Sequence, residues 1–307
     1  MPASHATFRS VLFSFFVGFL LLSAFAGPAA SVVLAQDSTR TASEETSVYR
    51  VETQEGTVYM GTLVRESEDA VVLATRDGTE VRISRDAIRS LSAIDDDRIR
   101  NGAYWFENPH ATRYLFAPSA IGLRDGTGYY QNTWVLFNNA NVGITDRFSI
   151  GGGMVPAFLF GGGVFPAWIL PKVSFSSPSG QAHIAAGALI GGVLGDVESA
   201  SFGMLYTSST LGDRDHNVTG GVGYGYADGT LADTPIFNLS GMTRVSRQFY
   251  FLSENYIFPG DGINGMASIG MRYAPENFAV DFALVRPLNA DTGSFLAVPW
   301  LGVTIPF

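Results

Sequence analysis

From about residue 108 to the end of the chain, large apolar residues alternate with small or polar ones. In the stretch NVTGGVGYGYADG, Val218, Val222 and Tyr224 share one face of an extended strand, whereas Thr219 and Gly221 share the other. A two-residue period is that of a β-strand, in which successive side chains point to opposite faces. No convincing helical period interrupts the pattern. This part of the chain is therefore predicted to be all-β.

Twelve such segments follow one another at short intervals. Most are close to the roughly ten residues that a tilted strand needs to cross a bilayer. The candidate strands are 112–122, 130–145, 148–160, 167–176, 181–193, 200–211, 216–227, 235–245, 249–258, 264–274, 278–287 and 295–307. An even number of antiparallel strands returns the C-terminus to the side of the N-terminus.

The two faces of these strands differ in a way that a soluble sheet does not need. One face carries bulky apolar residues, and the other is mostly Gly, Ala, Ser, Thr and Asn with few charges. Only 15% of all residues are charged, compared with roughly 25% in soluble domains. These features predict an antiparallel transmembrane β-barrel of about 12 strands whose apolar face contacts lipid. The alternative is a soluble, secreted all-β binding protein whose Phe-rich faces pack together.

The connections between the candidate strands fall into two groups. Tight polar turns are predicted on one side at 146–147, 246–248 and 275–277, and longer loops on the other at 124–128, 227–234 and 289–294. Short periplasmic turns and longer outer loops are typical of outer-membrane barrels. Aromatic residues near strand ends are assigned to interfacial girdles: Tyr129, Tyr130, Trp134, Trp168, Tyr206, Tyr256, Tyr273 and Trp300.

The chain ends on the alternating strand LGVTIPF, in which Leu301, Val303 and Ile305 share an apolar face. With this closing strand the chain resembles bacterial outer-membrane β-barrel proteins of an uncharacterised Bacteroidetes-type group. In such proteins the last strand carries a signal for the barrel assembly machinery, and Gly302, Ile305 and Phe307 match its positions. The resemblance implies two partners, outer-membrane lipid and that machinery, and a structural or narrow passive-pore function.

The N-terminal residues have the parts of an export signal. Residues 1–35 combine Arg9, the apolar run 11–26 and small residues before Ala35, which predicts a signal peptide that is cleaved near Ala35. An uncleaved anchor helix is the alternative, because the apolar run almost reaches the length needed to span a membrane. Residues 36–47 are polar and are predicted to form a linker.

Residues 48–95 are predicted to form a separate small β-domain. Glycine follows an acidic residue at Glu55-Gly56 and Asp77-Gly78, which is a strong hairpin signal. Strands are predicted at 48–53, 57–66, 69–76 and 79–83, with a closing segment at 88–91. This order resembles small SH3-like or Sm-like β-barrels, which implies a fold but no function. After a linker at 96–108, the barrel would occupy 109–307, and the small domain would bind a partner in the periplasm.

Residues that could carry chemistry are few. The chain has no cysteine, which excludes disulfides and Cys-ligated metals, and its net charge of −9 argues against nucleic-acid binding. The histidines are scattered without metal-ligand spacing, so no metal or other cofactor is expected. The cluster of Asp213, Asp215 and His216 is assigned to a solvated turn. No serine nucleophile follows His183, so the chain is predicted not to be an enzyme; a membrane-embedded, phospholipase-like hydrolase is the alternative.

Polar residues on the small-residue face indicate what the lumen contains. An ionisable side chain within a membrane protein must pair or meet water. The candidate lumen-lining residues are Lys172, His183, Asn238, Ser240, Arg244, Arg272 and Asp281, together with Asn139 and Asn141. The pattern leaves the direction of Glu254 open. These residues either bind one another in an interior filled by side chains or line a narrow aqueous path.

Overall fold

The computed structural model describes residues 47–95, 98–101, 103–156, 163, 165–195, 200–260, 264–288 and 297–307. The predicted signal peptide at 1–35, most of the linker at 36–47 and the loop at 289–294 lie outside the described residues. The chain divides into two compact units, with the boundary between Ala93 and Ile94. Within the described ranges, no helix is long and apolar enough to cross a membrane.

The first unit is a five-stranded sheet. Its strands are β1 (Val48–Thr53), β2 (Val58–Glu66), β3 (Ala70–Ala74), β4 (Glu80–Ser84) and β5 (Ile88–Ile94), in the order β4-β3-β2-β1-β5. A short 3₁₀ turn, Arg85–Ala87, connects β4 to β5. These strands lie where the sequence pattern predicts them, because the acidic-Gly turns set their limits.

The core of the first unit consists of alternate residues of β1, β3 and β4. Val51, Val71, Leu73 and Ile83 are buried together. At the β3–β4 turn, Gly78 has a φ of 84°, which glycine adopts without a steric penalty. The Asp77 carboxylate accepts hydrogen bonds from the Thr75 hydroxyl and the Thr79 amide, and the bond from Thr75 is the main cause that lowers the pKa of Asp77.

The second unit is a closed antiparallel barrel. Two short strands, β6 (Ile99–Arg100) and β7 (Ala103–Tyr104), pair with each other before it. The barrel strands are β8 (Gly128–Thr133), β9 (Phe137–Gly143), β10 (Phe148–Met154), β11 (Phe165–Ile169), β12 (Lys172–Ser176), β13 (Ala182–Leu194), β14 (Ala200–Gly212), β15 (His216–Ala227), β17 (Ile236–Arg244), β18 (Phe249–Phe258), β19 (Asn264–Tyr273), β20 (Ala279–Leu288) and β21 (Val298–Pro306). The two-residue strand β16 (Thr230–Leu231) extends the edge of β15.

Strands β11 and β12 act as one barrel strand, since both pair with β10 on one side and with β13 on the other. The break between them contains Pro171, which has no N–H to donate to a ladder. Because β21 pairs with β8, the ring closes. The described residues thus form twelve barrel strands, which confirms the predicted strand number.

Exposure alternates along the barrel strands with apolar residues outside. On β19, Ile269 is 70% exposed, whereas Arg272 is completely buried. On β20, Phe282 is 53% exposed while its neighbour Asp281 is completely buried. This arrangement inverts that of a soluble protein, and it gives the barrel an apolar outer face suited to lipid.

The closing seam joins the two ends of the barrel. Gly128 and Phe307 exchange two backbone hydrogen bonds of 2.8 and 2.9 Å. A Cβ on residue 128 would lie 2.5 Å from the Phe307 ring and 2.6 Å from the Asn141 carbonyl oxygen. The position therefore needs glycine. Leu301, Val303 and Ile305 face outward as predicted, because β21 keeps its two-residue period to the end.

Three predictions about the barrel's N-terminal part are wrong. Residues 112–122 are not a barrel strand but lie inside the barrel. The segment 130–145 is two strands, β8 and β9, joined by a turn in which Trp134 and Val135 have positive φ. The segment 124–128 leads into β8 at the end of the barrel that carries the short turns. The strand number is nevertheless right, because the split of 130–145 replaces the strand lost at 112–122.

Candidate functional site: a plugged barrel lumen

The barrel interior is occupied by residues 106–123, hereafter called the plug. The plug folds back on itself at its tip, where the Tyr114 amide donates to the Ala117 carbonyl at 2.9 Å. Its first part is held by Asn108, which donates to the carbonyl of Arg214 in the short β14–β15 turn at 2.8 Å. After the plug, Gly126 pairs with Gly143 at the end of β9. The plug therefore enters and leaves at the short-turn end of the barrel.

Hydrogen bonds tie the plug to nine of the twelve barrel strands. The wall residues that bind it are Gln131 on β8, Lys172 on β12, Thr210 on β14, Asn217 and Thr219 on β15, Arg244 on β17, Glu254 on β18, Arg272 on β19, Asp281 on β20 and Thr304 on β21. Most of these bonds involve a plug backbone group. They satisfy the polar main chain of an irregular segment at membrane depth, which would otherwise be costly.

A buried ion cluster fixes one side of the plug. Arg113 donates to Asp281 Oδ2 at 3.0 Å and also bonds the Thr304 hydroxyl. Arg272 approaches the same carboxylate from the neighbouring strand, at 2.6 and 3.1 Å. Arg272 also donates to the carbonyls of His110 and Tyr114 at 3.0 and 2.6 Å. One carboxylate thus binds two arginines, and the further donors of Arg272 bind plug carbonyls. Arg113 Nε is buried without a partner among the described residues.

Glu254 holds the tip of the plug. Its Oε2 accepts the backbone amides of Phe116 and Ala117 at 2.8 and 2.9 Å, and its Oε1 accepts the Tyr256 hydroxyl at 2.8 Å. Glu254 therefore faces the lumen, which the sequence pattern leaves open. A carboxylate that accepts two consecutive backbone amides fixes the direction of the main chain there.

Arg244 and Asp215 hold the entry of the plug. Arg244 donates to the Phe106 carbonyl at 2.8 Å and to both oxygens of Asp215 at 3.2 and 3.1 Å. Its guanidinium lies 5.0 Å from the ring centroids of both Trp105 and Phe106. Arg98 reaches Asp215 at 3.3 Å. Asp215 is only 6% exposed, so its assignment to a solvated turn is wrong, whereas Asp213 and His216 are exposed as predicted.

Lys172 binds the part of the plug that runs back toward the short turns. Its ammonium donates to the carbonyls of Ser119 and Ile121 at 3.1 and 2.9 Å. Ser240 and Asn238 also face inward, and they bond each other at 3.1 Å. The structure brings Arg272 and Asp281 together and places Lys172, Arg244 and Ser240 at other points of the same interior.

His183 faces the lumen near the short-turn rim. Its Nδ1 lies 2.7 Å from the hydroxyl of Ser176, the residue opposite it on β12. A search for a serine after His183 does not find this pair. Ser176 precedes His183 in the chain and lies opposite it across the β12–β13 hairpin. His183 Nε2 is buried without a hydrogen-bond partner among the described residues. A hydrolytic triad needs a third group that orients the base, and that ring nitrogen has none here.

Several aromatic residues assigned to the girdles lie in the lumen instead. Trp168 donates to Asn139 Oδ1 at 2.7 Å, Tyr256 binds Glu254, and the guanidinium of Arg113 lies over the ring of Tyr129. Trp134, in contrast, is 39% exposed and packs against Trp300 with a centroid distance of 4.8 Å. Strand-end position alone does not tell which face an aromatic residue occupies.

A cavity of about 160 Å³ lies beside the tip of the plug. Plug residues form one side of it, among them Arg113, Phe116, Ala117 and Pro118, and inward-facing wall residues from β8 to β18 form the other. The described residues contain no cluster of three or more His, Asp or Glu side chains that could hold a metal ion.

No protein family matches the chain, and no curated protein matches it. Among solved structures the chain is similar to KdgM porin, with a TM-score of 0.43 and 9% identity over 59% of this chain and 99% of that one. It is also similar to KdgM porin in complex with disordered oligogalacturonate (0.42, 9%, 59% and 98%) and to outer membrane phospholipase A from Escherichia coli (0.37, 10%, 65% and 98%). The closed ring of strands and the apolar outer face identify the barrel as one of the outer-membrane type.

Proposed function

We propose that the protein is a structural outer-membrane β-barrel whose lumen is closed by its own plug. The carrying observation is that nine barrel strands bind residues 106–123. A plug held by so many separate contacts must lose many of them together before a path opens. The lumen-lining role of Lys172, His183, Asn238, Ser240, Arg244, Arg272 and Asp281 is then mainly to fasten or surround the plug.

A barrel with a closed lumen would interact with other proteins through the first unit. We assign residues 48–95 to an SH3-like interaction module in the periplasm, which binds a partner there. The five-stranded sheet and its 3₁₀ turn support this assignment. Outer-membrane lipid surrounds the barrel, and the assembly machinery recognises Gly302, Ile305 and Phe307. Ile305 and Phe307 are exposed at the end of β21, where such recognition needs them.

A narrow passive pore is the second candidate. The cavity beside the plug tip favours it, because the lumen is not completely filled. Passage would require the plug to shift away from Glu254 and Asp281, the two carboxylates that it contacts.

Conductance in planar lipid bilayers separates the two candidates. The wild-type protein is expected to insert without steady conductance steps. The double variant Glu254→Gln/Asp281→Asn is expected to show fluctuating steps, because it loses the carboxylates that hold the tip and Arg113. Asp125→Asn is the matched acid-to-amide control, since Asp125 is exposed, and it should behave as the wild type. A steady conductance of the wild type equal to that of the double variant contradicts the closed-lumen proposal.

A further inference from the structure

We propose that the cavity beside the plug tip is a binding site for a small aromatic carboxylate. This inference goes beyond the proposed structural function, because ligand binding in the lumen does not require the barrel to conduct. It rests on the size of the cavity, the distribution of apolar side chains around it and the sign of the charges that border it.

The size of the cavity sets the size of the ligand. Its volume is about 160 Å³. A cavity of roughly 150 Å³ lined by apolar side chains is known to hold benzene. The cavity therefore has room for one aromatic ring with a short polar substituent.

Apolar side chains form the part of the cavity that would receive the ring. Phe116 at the plug tip is 40% exposed although it lies within the barrel. Leu189, Met204 and Ile236 face it from the wall, together with the rings of Tyr206 and Tyr256. The hydroxyl end of Tyr206 lies over Gly187, where a Cβ would come within 2.4 Å of the hydroxyl oxygen. Glycine at this position thus keeps Tyr206 against the wall and leaves the space free.

The charged side chains that border the cavity determine the polar substituent. Tyrosines aside, its ionisable lining residues are Arg113 and Lys172, and no Asp or Glu borders it. The Lys172 ammonium has three N–H groups, of which two donate to plug carbonyls. We assign the third N–H to a carboxylate oxygen of the ligand. The Ser208 hydroxyl also borders the cavity and is buried without a partner among the described residues. Arg113 is already paired with Asp281, so Lys172, which forms no salt bridge among the described residues, and the Ser208 hydroxyl are the groups that favour an anionic head.

Equilibrium dialysis of radiolabelled benzoate against proteoliposomes tests the proposal. After subtraction of empty liposomes, the wild type is expected to bind benzoate saturably at one site. Benzylamine, which carries a cation on the same ring, should bind at least about tenfold more weakly, which corresponds to about 1.4 kcal/mol. Absence of saturable benzoate binding, or equal affinity for both compounds, overturns the proposal.

Two tryptophan substitutions on one strand locate the site. Met204→Trp fills the cavity from the lumen side and should abolish benzoate binding. Leu205→Trp is the matched control, because Leu205 is the next residue of β14, points to lipid and is 51% exposed; its affinity should equal that of the wild type. Gel mobility before and after boiling verifies that both variants fold. If the folded Met204→Trp variant binds benzoate as the wild type does, the cavity is not the site.

Discussion

Arg113 of the plug and Asp281 of strand β20 form a salt bridge of 3.0 Å although 168 positions separate them in the chain. Their side chains are only 2% and 1% exposed. Burial of such a pair is costly unless its hydrogen bonds are complete. Asp281 meets this condition because Arg272 binds its other oxygen, whereas Arg113 leaves its Nε without a partner among the described residues. The pair therefore fixes the position of the plug inside the barrel.

Removal of the Asp281 charge should strongly destabilise the protein. Asp281→Asn leaves the arginines at 113 and 272 buried without their counter-ion, which costs about 3–5 kcal/mol. Urea unfolding in lipid vesicles, followed by tryptophan fluorescence, measures the free energy of unfolding. The exposed control Asp125→Asn should change it by less than about 0.5 kcal/mol. Equal effects of the two substitutions would show that the ion cluster does not contribute to stability.

Neutralisation of Arg113 provides an independent check of the same pair. Arg113→Met should destabilise less than Asp281→Asn, because Asp281 keeps its bonds to Arg272. In the double variant the two losses should not add, since both remove the same salt bridge. Additive losses would mean that Arg113 and Asp281 act separately.

A methyl group at the closing seam should impair barrel closure. In Gly128→Ala the new Cβ would meet the Asn141 carbonyl oxygen at 2.6 Å, and this backbone atom cannot swing away as a side chain can. The expected cost is roughly 1–3 kcal/mol, visible as a smaller folded fraction on unboiled gels. Gly220→Ala serves as the control, because nothing lies within 4 Å of its Cβ position. A folded fraction equal to that of the control would contradict the tight seam.

The absence of cysteine allows the sidedness of the barrel to be tested with single cysteines. In whole cells, Asp233→Cys in the β16–β17 loop should react with a membrane-impermeant maleimide. Arg247→Cys in the short β17–β18 turn should react only after the outer membrane is permeabilised, since short turns face the periplasm. Both positions are exposed, so accessibility does not differ between them. Labelling of Arg247→Cys in intact cells would reverse the orientation.

The Ser176–His183 pair should not hydrolyse lipid. The Nε2 of His183 has no orienting partner among the described residues, and a base without such a partner is poorly positioned. We expect the purified protein and its His183→Ala variant to release the same background of fatty acid from phospholipid vesicles. Activity that disappears in both His183→Ala and Ser176→Ala would instead establish the hydrolase alternative.

The barrel was largely predictable because its two-residue period is local. Ile269 and Arg272 fall on opposite faces of β19 by counting alone. The plug could not be predicted in the same way. An apolar segment indicates burial, but it does not indicate whether lipid or the barrel interior covers the segment. One signal was present: Pro118 lies inside the candidate strand 112–122, and proline is confined to edges and bulges of sheets. The unusual length of 130–145, beyond the 9–11 residues that cross a bilayer, was a second signal.

The ion cluster illustrates what the sequence conceals. Arg272 and Asp281 lie on adjacent strands and could be assigned to the lumen from their alternation. Their partner Arg113 sits in the segment 112–122, which the pattern predicts as a barrel strand, and only the folded structure brings it into the lumen beside them. Asp215 was missed for the same reason, because a turn residue looks solvated until Arg244 and Arg98 are placed around it.

The position of the plug in the chain has a consequence for folding order. Residues 106–123 precede every barrel strand, and the plug binds Gln131 of the first strand and Thr304 of the last. These two strands are the ones that must find each other to close the ring. A plug already bound to β8 would present Arg113 to the arriving β21. The segment that closes the lumen would thus also act as an internal template on which the ends of the barrel are joined.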